Sequence, residues 1–313
     1  MLLVSICSAQ TTEPLETVKV DSDLVDLKVS VLGFSPSATV SQLQLKDFVV
    51  LEDGAPQEIS FFAASDAPFD LILLLDLSGS TSDKIKLIRR SAQRFVEATR
   101  PTDRVAIVTF TDEPELITGF TFDREELKKK IKRIEKSFGG TKFWDSLRFV
   151  TENLVPLGQE SRRTAVIVMT DGVDNALPGI FGEGSATPFP DLLRIVRDSD
   201  ALVFPIYLDT EEEEVKRHRT PRAAYVTSRE QLAQLAEACG TRLYRAAKIE
   251  DLEAVYGQVI RDLGTVYSIG YRPSNRILDG RWRSISVQLK NNNGLVARAK
   301  RGYFARQISQ VVP

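Results

Sequence analysis

Three stretches of the chain place oxygen-bearing side chains where a strand gives way to a turn. The first is Asp76-Leu77-Ser78-Gly79-Ser80, directly after the apolar run Leu71–Leu75. Five consecutive aliphatic residues read as a strand buried on both faces. The alternate spacing after it points Asp76, Ser78 and Ser80 the same way if the chain stays extended. The second is Thr141, behind Gly139-Gly140 in FGGTKFWDSL; the third is Asp171, which closes the apolar run of VIVMTDGVDN as Asp76 closes its own. Two carboxylates buried side by side repel each other unless something positive lies between them. Serine and threonine hydroxyls add ligands without adding charge. Asp76, Ser78, Ser80, Thr141 and Asp171 together therefore suit a hard divalent cation that keeps some waters, Mg2+ or Mn2+, with Ca2+ a further candidate. Taken singly, Ser80, Ser82 and Thr141 also read as helix caps, and Asp171-Gly172 as a turn. The recurrence of the pattern in three segments, in order on alternating elements, favours the metal.

These groups need a scaffold that brings distant strand ends together. From about residue 68 to 264, apolar runs alternate with amphipathic stretches: LILLLD and DKIKLIRRSAQRFVEAT, RVAIVTF and REELKKKIKRIEK, TAVIVMTD and DLLRIVRD, ALVFPIYL and SREQLAQLAEA, closed by IEDLEAVYGQVIRDL. Such repetition predicts an α/β fold, a doubly wound, mostly parallel, Rossmann-like sheet with helices on both faces. PELITGF, joined to VAIVTF by a short turn, predicts an antiparallel edge strand. In an open sheet of this kind functional groups collect at the carboxyl ends of strands where the strand order reverses. Asp76 and Asp171 meet there if the first and fourth strands are neighbours.

The two ends of the chain read differently. Residues 15–66 alternate apolar and polar side chains, with Asp53-Gly54 between two such runs as a tight hairpin requires. Residues 265–306 return to the same pattern in VYSIGYRP, RWRSISVQLK and LVARAKRGYF. Neither end is long enough to bury a core alone. Both are expected to pair into one small β-sandwich, with the α/β region inserted between them.

Bulk properties narrow the function. With 313 residues and a formal net charge of −2, the chain shows no electrostatic footprint for nucleic acid. Residues 1–9, MLLVSICSA, read as the remnant of a secretory signal, which predicts a secreted, periplasmic or cell-envelope protein. Cys239 is then the only cysteine and reads as a buried thiol at a helix end; His218 is the only histidine. Thiol zinc sites and Ser-His-Asp chemistry are thereby disfavoured. No later run reaches membrane-spanning length, and no GxGxxG or GxxxxGK[ST] run supports a nucleotide site.

The DxSxS…T…D set resembles the metal-ion-dependent adhesion site (MIDAS) of von Willebrand factor A-type domains, all five positions matching, and the resemblance spans about residues 69–263. The flanks, LKDFVVLEDGAPQEISFF and RAKRGYF, resemble those of bacterial secreted VWFA-related proteins. The resemblance implies that Ser78, Ser80 and Thr141 ligate the ion directly while Asp76 and Asp171 act partly through water. It also implies that a carboxylate from a protein or peptide partner fills the remaining position, without catalysis. Asp174 and Asn175 fall near the rim. Two loops are expected on the same face: the Gly/Pro-rich ALPGIFGEGSATPFP, and DTEEEEVKRHRTPR, whose Glu211–Glu214 either stay solvated or compete for the metal. The last helix of such domains moves with ligand binding. One rival is a Mg2+-dependent hydrolase or phosphotransferase; aspartyl-phosphate enzymes, however, want a second carboxylate where Ser78 stands, and no phosphate-clamping lysine is recognisable. Another is a structural subunit with a stabilising metal.

Overall fold

The computed structural model describes residues 24–33, 43–81, 84–136, 139–155, 162–217, 219–291 and 294–305. The expectations on residues 1–9, Ser82 and His218 lie outside them. In chain order the strands and helices are β1 (Val25–Gly33), β2 (Phe48–Glu52), β3 (Ala55–Gln57), β4 (Ile59–Ala63), β5 (Phe69–Asp76), α1 (Ile85–Ala98), β6 (Arg104–Phe110), β7 (Pro114–Thr121), α2 (Arg124–Arg133) and α3 (Phe143–Asn153). They continue with β8 (Arg163–Thr170), α4 (Phe189–Asp198), β9 (Leu202–Leu208), α5 (Glu211–Lys216), α6 (Arg222–Ala238), β10 (Tyr244–Ala246), α7 (Leu252–Leu263), β11 (Val266–Tyr271), β12 (Trp282–Leu289), β13 (Leu295–Arg298) and β14 (Gly302–Phe304).

The central sheet runs β10-β9-β8-β5-β6-β7. Its pairings are parallel except for β7, which lies antiparallel on β6 as a hairpin edge. Every residue of β5, β8 and β9 is buried, which is why their sequences are continuous apolar runs rather than alternating ones. α1 packs on α2 and α7, while α3, α4 and α6 pack in a row, so the sheet is covered on both faces. β5 lies between β6 and β8, with Leu75 opposite both Thr109 and Met169. The chain goes to one side of β5 for β6 and to the other for β8. That is the reversal point at which the site was expected.

The two chain ends share two antiparallel sheets, β13-β1-β11-β4 and β14-β12-β2-β3. Both contribute to one core that includes Leu27, Val29, Phe48, Val50, Tyr267, Ile269, Tyr271 and Ile285. The Asp53-Gly54 hairpin forms with both residues at positive φ, 48° and 80°, the twist a two-residue turn between right-twisted strands requires. Two runs read as single strands each divide between the layers. APQEISFF yields β3, which stays with β2, and β4, which crosses to β11. LVARAKRGYF yields β13 on β1 and β14 on β12. A strand that changes layer keeps its apolar side chains on the shared core, and continuing straight in one layer would carry them off it.

The two parts meet at the amino end of the central sheet. There Asp70, at the start of β5, accepts hydrogen bonds from Arg104 (2.8 Å) and Arg162 (2.6 Å). Asp103 accepts the Phe69 amide (2.8 Å) and the Arg100 guanidinium. Arg163 stacks over the Phe69 ring at 4.6 Å and donates to the carbonyls of Ala67 and Val266, at the strand's entry and at the start of β11. Cys239 lies buried at the C-terminus of α6, and burial pushes its thiol up to about 12, which makes it inert at neutral pH.

Candidate metal centre

Asp76 is the last residue of β5 and is fully buried. One carboxylate oxygen accepts the Ser78 amide (2.8 Å) and the other accepts the Thr170 hydroxyl (2.6 Å). The turn that follows folds back on itself: Thr81 donates to the carbonyls of Asp76 (2.9 Å) and Ser78 (3.1 Å). This brings the hydroxyls of Ser78 and Ser80 to 3.4 Å from each other. Ser80 then donates across the strand boundary to the Asp171 carboxylate at 2.6 Å. Asp171, just past β8, also accepts the Thr210 hydroxyl (2.7 Å) and the Val173 amide (3.1 Å). Its own carbonyl takes the Ser228 hydroxyl from α6 (3.0 Å).

Asp76, Ser78, Ser80 and Asp171 are thus joined side chain to side chain or through one amide. Thr141 is not joined to these four by any contact described; its backbone is tied to Asn175, four residues past Asp171. Its amide donates to the Asn175 side-chain oxygen (3.2 Å), and the Asn175 amide donates to the Thr141 carbonyl (2.9 Å). Gly140 donates to Asp112 from the β6–β7 turn (2.9 Å). A Cβ on Gly79 would come to 3.9 Å from the Gly139 carbonyl, so the two loops lie against each other.

The capping alternative does not hold for Ser80 or Thr141. The residue that begins α1 is Lys84 and the one that begins α3 is Lys142, neither with a side-chain cap. The Ser80 hydroxyl is spent on Asp171 instead. Asp171 does make the turn its sequence suggested, through the Val173 amide, and serves the site as well. Asp174 turns out to be a buried brace: it accepts the amides of Trp144 (3.0 Å), Ala176 (2.8 Å) and Ser185 (3.0 Å) and the Ser185 hydroxyl (2.6 Å).

Sequence reasoning missed the hydroxyls that hold the carboxylates. Thr170 stands next to Asp171 and could have been read from VMTD. Thr210 is 39 residues from Asp171 and gave no local signal. DTEEEEVKRHRTPR is also not a loop at its start. Glu211–Lys216 forms a short helix in which Glu211 pairs with Arg229 (2.6 Å) and Arg222 (2.9 Å), Glu212 with Lys216 (3.4 Å), Glu213 with Lys84 (2.8 Å) and buried Glu214 with Arg217 (3.0 Å). Acids in the first turn and a lysine in the last suit the helix dipole, and the basic residues after them neutralise the run. The run is therefore helical and paired, with Glu212 still largely in solvent.

Burial, and after it the charge of Asp171, pushes Asp76 up to about 7. Asp171 is raised too, by burial, against hydrogen bonds from Ser80, Thr210 and the Val173 amide that lower it. The hydrogen bonds to both carboxylates come from hydroxyls and backbone amides; the Lys84 ammonium at the rim donates to the Ser80 carbonyl (3.2 Å) and to Glu213. Among the described residues no group of three or more His, Cys, Asp or Glu could hold a metal ion, so a cation here would rely on neutral hydroxyls, with the two carboxylates balancing its charge. The residues fit one. The donors are all hard oxygens, and a divalent ion would cancel both carboxylate charges.

Residues 71–173 match the model of the von Willebrand factor type A domain. Among solved structures, the chain is similar to proximal thread matrix protein 1 from the mussel byssus, at 14% identity, 68% of this chain, 51% of that chain and a TM-score of 0.50. A form of that mussel protein with a zinc-occupied MIDAS motif matches at 17% identity, 68% and 49% coverage and a TM-score of 0.49. The vWF domain of the type V pili tip protein Mfa5 from Porphyromonas gingivalis matches at 16% identity, 62% of this chain and 94% of that one, with a TM-score of 0.47. This chain spans about half the length of the mussel protein. At these identities the likeness is one of fold.

Proposed function

Because the central part of this chain is a von Willebrand factor type A domain, we propose that it binds a protein or peptide partner through a divalent cation, without catalysing a reaction. One observation carries the reading. Asp76 and Asp171, at the ends of adjacent strands, are both buried; Asp76 accepts the Ser78 amide and Asp171 the hydroxyl of Ser80, which lies 3.4 Å from that of Ser78, with no guanidinium or ammonium among the groups that hydrogen-bond to either carboxylate within the described residues. Mg2+ or Mn2+ would be held by Ser78, Ser80 and Thr141. Asp76 and Asp171 already accept protein donors on each oxygen, so they suit contact through water. An ion whose direct protein ligands are neutral stays electron-poor and attracts a carboxylate from outside, the Asp or Glu of the partner. No described helix is long and apolar enough to cross a membrane, and the signal-like composition of residues 1–9 supports an activity outside the cytoplasm.

Calorimetry with MgCl2 and MnCl2 on the wild type and on Asp76→Ala tests the centre: one ion is taken up by the first and none by the second. Acidic peptides are retained in Mg2+ and released by chelator, while the melting transition in chelator stays cooperative. A melt that loses cooperativity would make the metal structural, and turnover of phosphate or ester substrates would make the protein an enzyme. Absence of Mg2+ and Mn2+ uptake by folded protein refutes the reading.

A further inference from the structure

The loop after Asp171 presents one aromatic side chain to solvent beside the metal centre. Phe181 is 89% exposed, the highest value among the large hydrophobic residues described. Isolated exposed apolar residues are ordinary on protein surfaces; this one stands on a loop whose two large aliphatic side chains turn toward the core while the ring does not. Leu177 is buried and Ile180 packs against the central core. Asp174 ties Ala176 at the loop's start to Ser185 near its end. Asp145 on α3 accepts the amides of Ala186 (2.7 Å) and Thr187 (2.9 Å). With both ends anchored and both neighbouring aliphatics inside, the outward position of Phe181 is set by the loop.

The backbone of Phe181 is tied to that of Thr141 by one side chain. The Asn175 amide nitrogen donates to the Phe181 carbonyl (3.1 Å), and the oxygen of the same carboxamide accepts the Thr141 amide (3.2 Å). The backbones of Phe181 and Thr141 are thus separated by a single carboxamide. That carboxamide is closely enclosed: a Cβ on Gly140 would come to 2.4 Å from its nitrogen, and one on Gly182 to 2.7 Å. Glycine at both places lets the two loops close on Asn175. Lys142, next to Thr141, pairs with Glu183 of the same loop (3.4 Å), and Lys84 borders the other side of the site. Both ammonium groups are already paired, Lys142 with Glu183 and Lys84 with Glu213, so the rim's exposed apolar group is the ring of Phe181.

We propose that Phe181 is a second anchor of this binding site, so that the preferred partner is an extended peptide segment carrying an Asp or Glu with an apolar side chain within about three residues of it, at about 3.3 Å per residue. This deepens, and rests on, the reading of the site as a metal-dependent carboxylate receptor. Aromatic side chains are enriched in the cores of protein interfaces, and an apolar group seated on Phe181 would remove from water a ring that the free protein leaves wet.

Nine-residue Gly/Ser peptides with a central Asp, immobilised at one density and carrying a single Leu at each position from three before to three after it, provide the test. In MgCl2 the wild type should prefer at least one Leu-containing peptide over the Leu-free one by about tenfold. Phe181→Ala should bind both equally, while its Mg2+ uptake and melting temperature match the wild type. Metal-dependent binding of Asp peptides with no Leu preference, or a preference that survives Phe181→Ala, overturns the inference and leaves the receptor reading standing. Failure of every Asp peptide to bind in MgCl2 overturns both.

Discussion

Strand β5 carries a buried aspartate at each end, and the two are treated in opposite ways. Asp70, at the amino end, is pushed up by burial, but hydrogen bonds and charge from Arg104 and Arg162 outweigh that and hold it below the ordinary carboxylate range. Asp76, six residues along the same strand, is pushed up to about 7 by burial and by Asp171, and the hydrogen bonds that oppose this come from neutral groups of Ser78 and Thr170. The first carboxylate is complete as it stands and ties the entry of the strand to its neighbours. The second is an unsolved electrostatic problem in the fold, which a cation would solve. The contrast separates a structural acid from a functional one more sharply than burial does, since both are fully buried.

Removing the cations at the amino end should have the largest effect. Arg104→Ala with Arg162→Ala leaves Asp70 buried and unpaired, and denaturant titration should show a loss of about 3–5 kcal/mol. At the other end the same logic reverses sign. Asp76→Asn removes a charge that the metal-free fold disfavours, so at pH 8 in chelator it should stabilise the protein by on the order of 2 kcal/mol. Added Mg2+ should stabilise the wild type only. A destabilised Asp76→Asn in chelator would mean that the two ends are alike.

pH separates them further. Asp70 has a lowered folded pKa, so its contribution is full above the unfolded value near 3.8 and is lost as pH falls through the lower folded one. Asp76 has a raised folded pKa: its favourable contribution is full below 3.8 and is lost as pH rises to about 7. Metal-free protein should therefore lose stability between pH 4 and 7 by up to about 1.4 kcal/mol per pH unit, and Asp76→Asn should flatten most of that slope. Mg2+ should raise the melting temperature at pH 8 and hardly at pH 5, where protons hold the carboxylate.

Much of this was legible in the sequence because the relevant rules are local. Continuous apolar runs gave the buried strands, and Asp76 and Asp171 stood out as acids at the ends of such runs. That the first and fourth strands are neighbours stood only as a condition in the sequence, and the pairing of β5 with β8 meets it. What stayed hidden depends on contacts between distant segments. Thr210 meets Asp171, and Arg162 meets Asp70 from 92 residues away. No spacing rule announces either. The crossing of β4 and β13–β14 between layers was hidden for the same reason, since alternation fixes which face is apolar and says nothing about which sheet receives it. The glutamate run reads as a solvated loop from its charge composition; Glu212 is indeed in solvent, while the short helix and the pairing of each glutamate with a cation show only in three dimensions.

The smallest expected effect concerns that run and limits how far the carboxyl end of the sheet extends its electrostatics. Glu213 reaches the site through Lys84, which it contacts at 2.8 Å while Lys84 also donates to the Ser80 carbonyl. Glu213 is itself well exposed and has a second partner in Arg217. A pair of this kind contributes about 0.2–1 kcal/mol, so Glu213→Gln should lower the melting temperature slightly. Metal affinity by calorimetry should stay within about twofold, since 1.4 kcal/mol is needed for a tenfold change. A several-fold tightening of metal or peptide binding in this variant would instead make α5 an internal competitor for the cation. The carboxyl end would then hold its own acid in waiting, and the difference between the two aspartates of β5 would no longer be one of complete against incomplete pairing.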